Sequence, residues 1–156
     1  NSPAYIGAEL YLRKKKNWKY SADFLEHSLQ DNPSDLYYGN KSALAKKLKK
    51  SRKIRNKVKK FKKSNYLAKK YSISFKHGDM FGAFHNVDLY IDRFKKGKIN
   101  CVLKDYYDFS YEKYNSFINI ANNYEWVCQA FKISNGYHIT VEMKFKDRKN
   151  KNKDLI

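Results

Sequence analysis

Three histidines and their neighbours are the residues whose chemistry could make this chain an enzyme. His77 and His85 bracket a predicted bend that contains glycines, and Asp79 could orient one of the two imidazoles. His138 lies on the polar face of the last predicted strand, and pairing of that strand beside residues 83–94 would bring it to the same cleft. Because an imidazole titrates near neutral pH, these residues suit general acid–base catalysis.

RNA transesterification is a reaction that such residues could perform. It needs a base for the 2′-hydroxyl, an acid for the leaving oxygen, and a cation for the charge on phosphorus. The histidines could supply the base and the acid, and Lys104 or Arg93, near Tyr107, could supply the rest without a metal ion. The predicted catalytic set, with no metal and no cofactor, is His77, Asp79, His85, His138, Tyr107 and Lys104.

Structural roles remain open for the same residues. The histidines could simply fill turns and strand faces, and the Asp-Tyr-Tyr-Asp cluster at 105–108 could be a buried hydrogen-bonded corner. A two-carboxylate glycosidase site also stays possible, since four aspartates fall near predicted strand ends: Asp79, Asp88, Asp105 and Asp108. Spacing alone selects no pair among them. The chain has no phosphate-binding glycine loop, HExxH, CxxC or GxSxG motif, which disfavours nucleotide hydrolases, zinc peptidases and α/β-hydrolases.

A strongly basic segment is the second feature that points to function. Residues 36–78 contain 16 Lys or Arg and no acidic residue. Apolar residues recur there at close to helical spacing after Ser42, a good N-cap, so the pattern predicts one helix of about 20 residues ending near Lys63. The predicted nucleic-acid-binding residues on its cationic face are Lys46, Lys49, Lys50, Lys53, Lys57 and Lys60.

The charge of the whole chain indicates an anionic partner. With 34 Lys and Arg against 15 Asp and Glu, the 156 residues carry a formal charge of +19. Nucleic acid, an anionic membrane surface or an acidic protein would each complement it. A biased coding composition is the alternative explanation. Hydrophobic residues make up 42% of the chain and aromatic residues 17%, which predicts a folded protein rather than a disordered one.

The periodicities predict an α+β fold, with a basic helical N-terminal half followed by a small antiparallel sheet carrying one packed helix. Helices are predicted at 18–29, 42–63 and 112–131, and a loop at 36–40. Strands are predicted at 72–75, 87–92, 99–103 and 137–145, with a hairpin turn at 95–98. The predicted divisions are 1–16, a leading segment or linker; 17–71, a basic helical region; 72–146, the sheet domain that would hold the active site; and 147–156, a charged tail.

Two cysteines and an N-terminal asparagine bear on cellular context. Cys101 and Cys128 are too few for a disulfide scaffold or a zinc site, and either two buried thiols or a single bridge would fit. Because the chain starts with Asn1 and shows no signal-peptide pattern at its start, we expect it to be cut from a longer protein.

Three segments resemble the C-terminal toxin modules of bacterial polymorphic toxins, including contact-dependent inhibition systems. They are WKYSADFLEHSL (18–29), FKHGD (75–79) and KDYYDF (104–109). The resemblance implies an effector delivered by a secreted or cell-surface protein, acting in the target-cell cytoplasm and held inactive by an acidic immunity protein. With the charge, it leads to the hypothesis of an antibacterial ribonuclease acting on a tRNA-like substrate. A membrane-active toxin using the basic helix, or a non-enzymatic nucleic-acid-binding module, are the alternatives.

Overall fold

The computed structural model describes residues 2–109, 113, 117 and 125–147. In chain order the elements are α1 (Pro3–Gly7), a π-helix (Ala8–Lys15), α2 (Lys19–Ser28), β1 (Leu36–Tyr38), α3 (Ala43–Lys49), α4 (Arg52–Lys63), β2 (Ala68–Ser74), α5 (Gly78–Ala83), β3 (Asn86–Asp92), β4 (Lys98–Tyr107), α6 (Glu125–Ile133) and β5 (Tyr137–Lys146).

The five strands form one mostly antiparallel sheet in the order β1-β5-β4-β3-β2. Strands β3 and β4 pair antiparallel, with Leu89 opposite Leu103, whereas β1 pairs parallel with β5. Gly97 closes the β3–β4 hairpin with φ of 72°, a conformation that costs glycine little. The α+β class predicted from the sequence is therefore confirmed.

Two predictions for local structure are wrong. The predicted loop at 36–40 contains β1, a three-residue edge strand that is too short to show a periodicity of its own. The predicted bend between His77 and His85 is α5, whose sequence GDMFGA has two glycines and therefore little intrinsic helix propensity.

The predicted long basic helix is two helices, α3 and α4. The Ser42 hydroxyl accepts a hydrogen bond from the Ala45 amide at 3.2 Å, so the predicted N-cap is confirmed. Ser51 interrupts the helix because it adopts extended backbone angles, φ −65° and ψ 128°, and α4 begins at the next residue. Serine favours such a boundary over a helix interior.

The predicted helix at 112–131 lies only partly within the described residues. Its described C-terminal part is α6, and Lys113 and Phe117 are also helical. Of the predicted tail, Asp147 is described and buried, and residues 148–156 lie outside the described part of the chain.

The chain divides into two compact units. Unit 1 comprises residues 1–35, 74–85 and 106–138, and unit 2 comprises residues 36–73, 86–105 and 139–156. The first helices are part of unit 1: α1 is capped by Ser2, and Ala4, Ala8 and Leu12 are buried in a cluster with α2 and with Trp126 of α6. Residues 3–15, predicted as a leading segment or linker, are therefore helical and contribute to the core of unit 1.

The core of unit 2 lies between one face of its strands and the basic helices. Ile54, Val58 and Phe61 of α4 are buried, as are Leu44 and Leu48 of α3. Contacts of α4 with Tyr71 of β2 and with Arg93, the residue after β3, show which sheet face the helices cover. The Arg93 guanidinium lies 4.4 Å from the centre of the Phe61 ring, and the Lys57 ammonium lies 5.7 Å from that of Tyr71.

Candidate nucleic-acid interface

The cationic face of unit 2 is formed by the predicted lysines of α3 and α4. Lys46, Lys50, Lys53 and Lys60 are exposed, and Lys49 and Lys57 are half-buried. The Lys49 ammonium lies 5.0 Å from the centre of the Phe145 ring, a cation–π contact that fixes it near the sheet. The structure therefore carries the six predicted lysines on two consecutive helices of one unit, with Lys50 at the C-cap of α3.

The charge of the chain is concentrated in unit 2. Unit 1 contains 8 Lys and Arg against 9 Asp and Glu, a formal charge of −1. Unit 2 contains 26 Lys and Arg against 6 Asp and Glu, a formal charge of +20. The positive potential that would attract a polyanion therefore arises from unit 2 alone.

The apolar stripe of α3 and α4 is buried in the core of unit 2. Its residues are at most 2% exposed: Leu44, Leu48, Ile54, Val58 and Phe61. These are the side chains that a membrane-active toxin would need to place in lipid, so such contact would first require both helices to leave the core. No helix in the described part of the chain is both long and apolar enough to cross a bilayer.

Asp79 has a structural position in unit 1. Its carboxylate accepts hydrogen bonds from the Tyr20 amide at 2.9 Å, the Ser21 amide at 2.7 Å and the Ser21 hydroxyl at 2.7 Å. Trp18, the N-cap residue of α2, offers no side-chain acceptor, so Asp79 caps the first turn of that helix from a distant part of the chain. Each of the two carboxylate oxygens thus accepts a hydrogen bond from a backbone amide of α2.

His77 and His85 lie at the two ends of α5. His77 is the exposed residue before the helix, and six helical residues rise about 9 Å before the chain reaches His85. His85 is half-buried with a left-handed φ of 60°, and its ring lies 5.0 Å from that of Phe81. The short helix therefore separates the backbones of the two histidines.

Strand alternation decides which tyrosine of the 105–108 cluster is accessible. Tyr107 is fully buried, stacks on Tyr137 at 5.1 Å and lies under the Lys113 ammonium at 3.7 Å. Tyr106 points the other way and is 54% exposed. The predicted catalytic tyrosine is thus a core residue, and its neighbour is available at the surface.

Tyr106 and His138 form an exposed pair in unit 1. Their rings lie 4.9 Å apart, and the His138 amide donates a hydrogen bond to the Asp35 carboxylate at 2.9 Å. The phenol of Tyr106 lies directly against Gly136, where any larger side chain would collide with it. Of this pair, His138 was predicted from the sequence and Tyr106 was not. The period-two pattern of Ile99, Cys101 and Leu103 could have found it, because it places residue 106 on the outer face.

The two predicted cations belong to unit 2. Lys104 is exposed on β4, with its ammonium 5.3 Å from the centre of the Tyr90 ring. Arg93 is buried: its guanidinium donates a hydrogen bond to the Phe61 carbonyl and lies 3.9 Å from the Asp147 carboxylate. Arg93 therefore joins α4 to the end of β5, and of the predicted catalytic set only Lys104 lies outside unit 1.

Cys101 and Cys128 do not form a disulfide bond. Burial raises the pKa of Cys101 to about 12, so its nucleophilic thiolate is scarce at neutral pH. Within the described residues no cluster of His, Cys, Asp and Glu is arranged to hold a metal ion.

Comparison with protein-family models, with curated proteins and with solved structures found no match.

Proposed function

We propose that the protein binds RNA through the lysines of α3 and α4. The observation that carries this proposal is the arrangement of these helices: the apolar stripe is buried, and the lysines of a segment that contains no Asp or Glu occupy the opposite side. Folding thus brings these like charges together, and phosphates would relieve their repulsion while releasing counterions.

Binding of a stem-loop RNA under increasing salt tests this proposal. The probe carries 2′-fluoro groups, because it then lacks the hydroxyl needed for transesterification. We expect Lys53→Glu/Lys60→Glu to weaken binding by at least about tenfold, and to make the slope of log affinity against log salt shallower by about 2, one unit for each lost phosphate contact.

The matched control reverses two exposed lysines of unit 1, Lys14→Glu/Lys132→Glu, which changes the total charge equally. We expect this variant to bind within about twofold of the parent protein. Equal losses in both variants would show that net charge alone determines binding, and an unchanged affinity of the α4 variant would exclude the proposed interface.

An antibacterial ribonuclease is the second candidate, favoured by the exposed Tyr106–His138 pair. The imidazole would take the proton of the 2′-hydroxyl or deliver one to the leaving oxygen, and the phenol would donate a hydrogen bond to the charged phosphate. Delivery by a larger surface protein into the target-cell cytoplasm, and neutralisation by an acidic immunity protein, belong to this candidate and rest on the resemblance to toxin modules.

Incubation with total bacterial RNA in EDTA tests the second candidate. Discrete fragments are expected from the parent protein and none from His138→Ala, while Tyr106→Phe should slow cleavage by removing the phenol hydroxyl. Tyr37→Phe is the control, since this exposed tyrosine lies in unit 2. Intact RNA with the parent protein would rule out the nuclease and leave the binding proposal standing.

A further inference from the structure

The sheet of unit 2 has a face that the basic helices do not cover. Along β3, Val87, Leu89 and Ile91 are buried, whereas Tyr90 between them is 40% exposed. Because successive side chains of a strand point to opposite faces, Tyr90 lies on the face away from the one that contacts α4. The Tyr90 ring is therefore not part of the core that lies between the sheet and the basic helices.

Two ammonium groups flank the Tyr90 ring. The Lys104 ammonium, from β4, lies 5.3 Å from the ring centre, and the Lys70 ammonium, from β2, lies 5.9 Å from it. These strands are the two neighbours of β3 in the sheet, so the aromatic ring is centred between two cations. An exposed aromatic ring beside cations is the combination that binds single-stranded nucleic acids, where bases stack and phosphates pair with lysine.

Asp88 contacts Lys70 but does not remove its charge from solvent. Asp88 lies 3.7 Å from the Lys70 ammonium, and both side chains are well exposed, at 42% and 56%. Exposed pairs of this kind are weak and are screened by salt, so a phosphate can compete for the lysine. The Ser72 hydroxyl also donates to Asp88, at 3.4 Å.

We propose that Tyr90, with Lys70 and Lys104, is a stacking site for an unpaired base of a single-stranded RNA. This inference deepens the proposed RNA binding and rests on it. The site is separate from the lysines of α3 and α4, because those helices contact the other face of the sheet. It therefore gives the protein a preference for unpaired segments, which a phosphate-binding helix surface alone would not provide.

Paired measurements on single-stranded and duplex RNA test this site. The probes are a 12-nucleotide 2′-fluoro oligouridylate and a 2′-fluoro duplex of the same length. Tyr90→Ala should weaken binding of the single strand about 5- to 150-fold, the range for loss of one stacked base. Duplex affinity should stay within about twofold, since paired bases offer no free face, and Tyr90→Phe, which keeps the ring, should retain binding of both probes.

Tyr37→Ala is the matched control, since Tyr37 is an exposed strand tyrosine of the same unit whose hydroxyl is hydrogen-bonded to Glu142. A 5-iodouridine in the oligouridylate supplies an independent readout. Cross-linking should mark the peptide that contains Tyr90, and cross-links confined to residues 43–63 would overturn the stacking site.

The outcomes separate this inference from the RNA-binding proposal. Unchanged single-strand affinity in Tyr90→Ala, or an equal loss in Tyr37→Ala, would overturn the stacking site while the α4 variants still test the interface. Loss of single-strand binding in Tyr90→Ala, with no effect of Lys53→Glu/Lys60→Glu on either probe, would support the stacking site and overturn the helix interface. If neither probe bound the parent protein, both the helix interface and the stacking site would be overturned. An acidic protein would then be the expected partner of this sheet face.

Discussion

At the scale of single residues, Asp79 links two distant segments of unit 1. The first turn of an α-helix leaves backbone N–H groups without partners, and α2 begins after Trp18, which cannot accept their hydrogen bonds through its side chain. Asp79 accepts hydrogen bonds from two of these amides. The single proton of the Ser21 hydroxyl is shared between the Asp79 carboxylate, at 2.7 Å, and the Asp79 carbonyl, at 2.8 Å. A carboxylate at the positive end of a helix dipole is favourable as well.

Removing this carboxylate should therefore destabilise the protein. We expect Asp79→Ala to lower the free energy of unfolding by about 2–3 kcal/mol, because it deletes charged hydrogen bonds and leaves buried amides unsatisfied. Asp79→Asn, which keeps one acceptor oxygen, should cost less. Urea unfolding followed by circular dichroism gives the values. Asp31→Ala, at an exposed position after α2, should change stability by less than about 0.5 kcal/mol. An Asp79→Ala variant as stable as this control would contradict the capping role.

At the scale of elements, prediction from the sequence succeeded where a periodic pattern extends over several residues. The helix at 18–29, the β3–β4 hairpin and the last strand each bury one face, so the spacing of their apolar residues indicates the type of element. Elements of three to six residues are too short to show such a spacing. Strand β1 exists because it pairs with β5, and α5 exists although its glycines disfavour a helix.

Candidate site residues were likewise predictable where a periodic pattern places them, and not where their position depends on distant parts of the chain. The positions of the six lysines were predictable because helical spacing places them on the polar side, although the break between α3 and α4 at Ser51 was not predicted. The roles of Asp79 and Tyr107 were not, since each depends on partners far away in the chain, Ser21 for the aspartate and Tyr137 for the tyrosine. Tyr90 and Tyr106 face outward by strand alternation alone, but their cationic and imidazole neighbours come from other strands.

At the scale of the whole molecule, the separation of charge between the units sets how the protein responds to salt. Unit 2 carries the formal charge of +20, and unit 1 is close to neutral. Charge of one sign in a compact unit opposes folding by self-repulsion, and dissolved ions screen that repulsion. Salt also weakens favourable pairs such as Lys19–Asp23 in unit 1, but exposed pairs contribute little.

Added salt should therefore stabilise the protein. Raising NaCl from about 20 mM to about 300 mM shortens the screening length from about 20 Å to about 6 Å, and we expect Tm to rise by several degrees. Replacing Lys46, Lys53, Lys59 and Lys60 by glutamine should raise Tm at low salt and flatten its salt dependence, because the repulsion has already been reduced.

The same number of substitutions in unit 1, at Lys14, Lys16, Lys76 and Lys132, should leave the salt dependence of Tm unchanged. Calorimetry of the three proteins at both salt concentrations gives the comparison. A Tm that falls with salt, or an equal response in both variants, would show that repulsion within unit 2 does not limit stability.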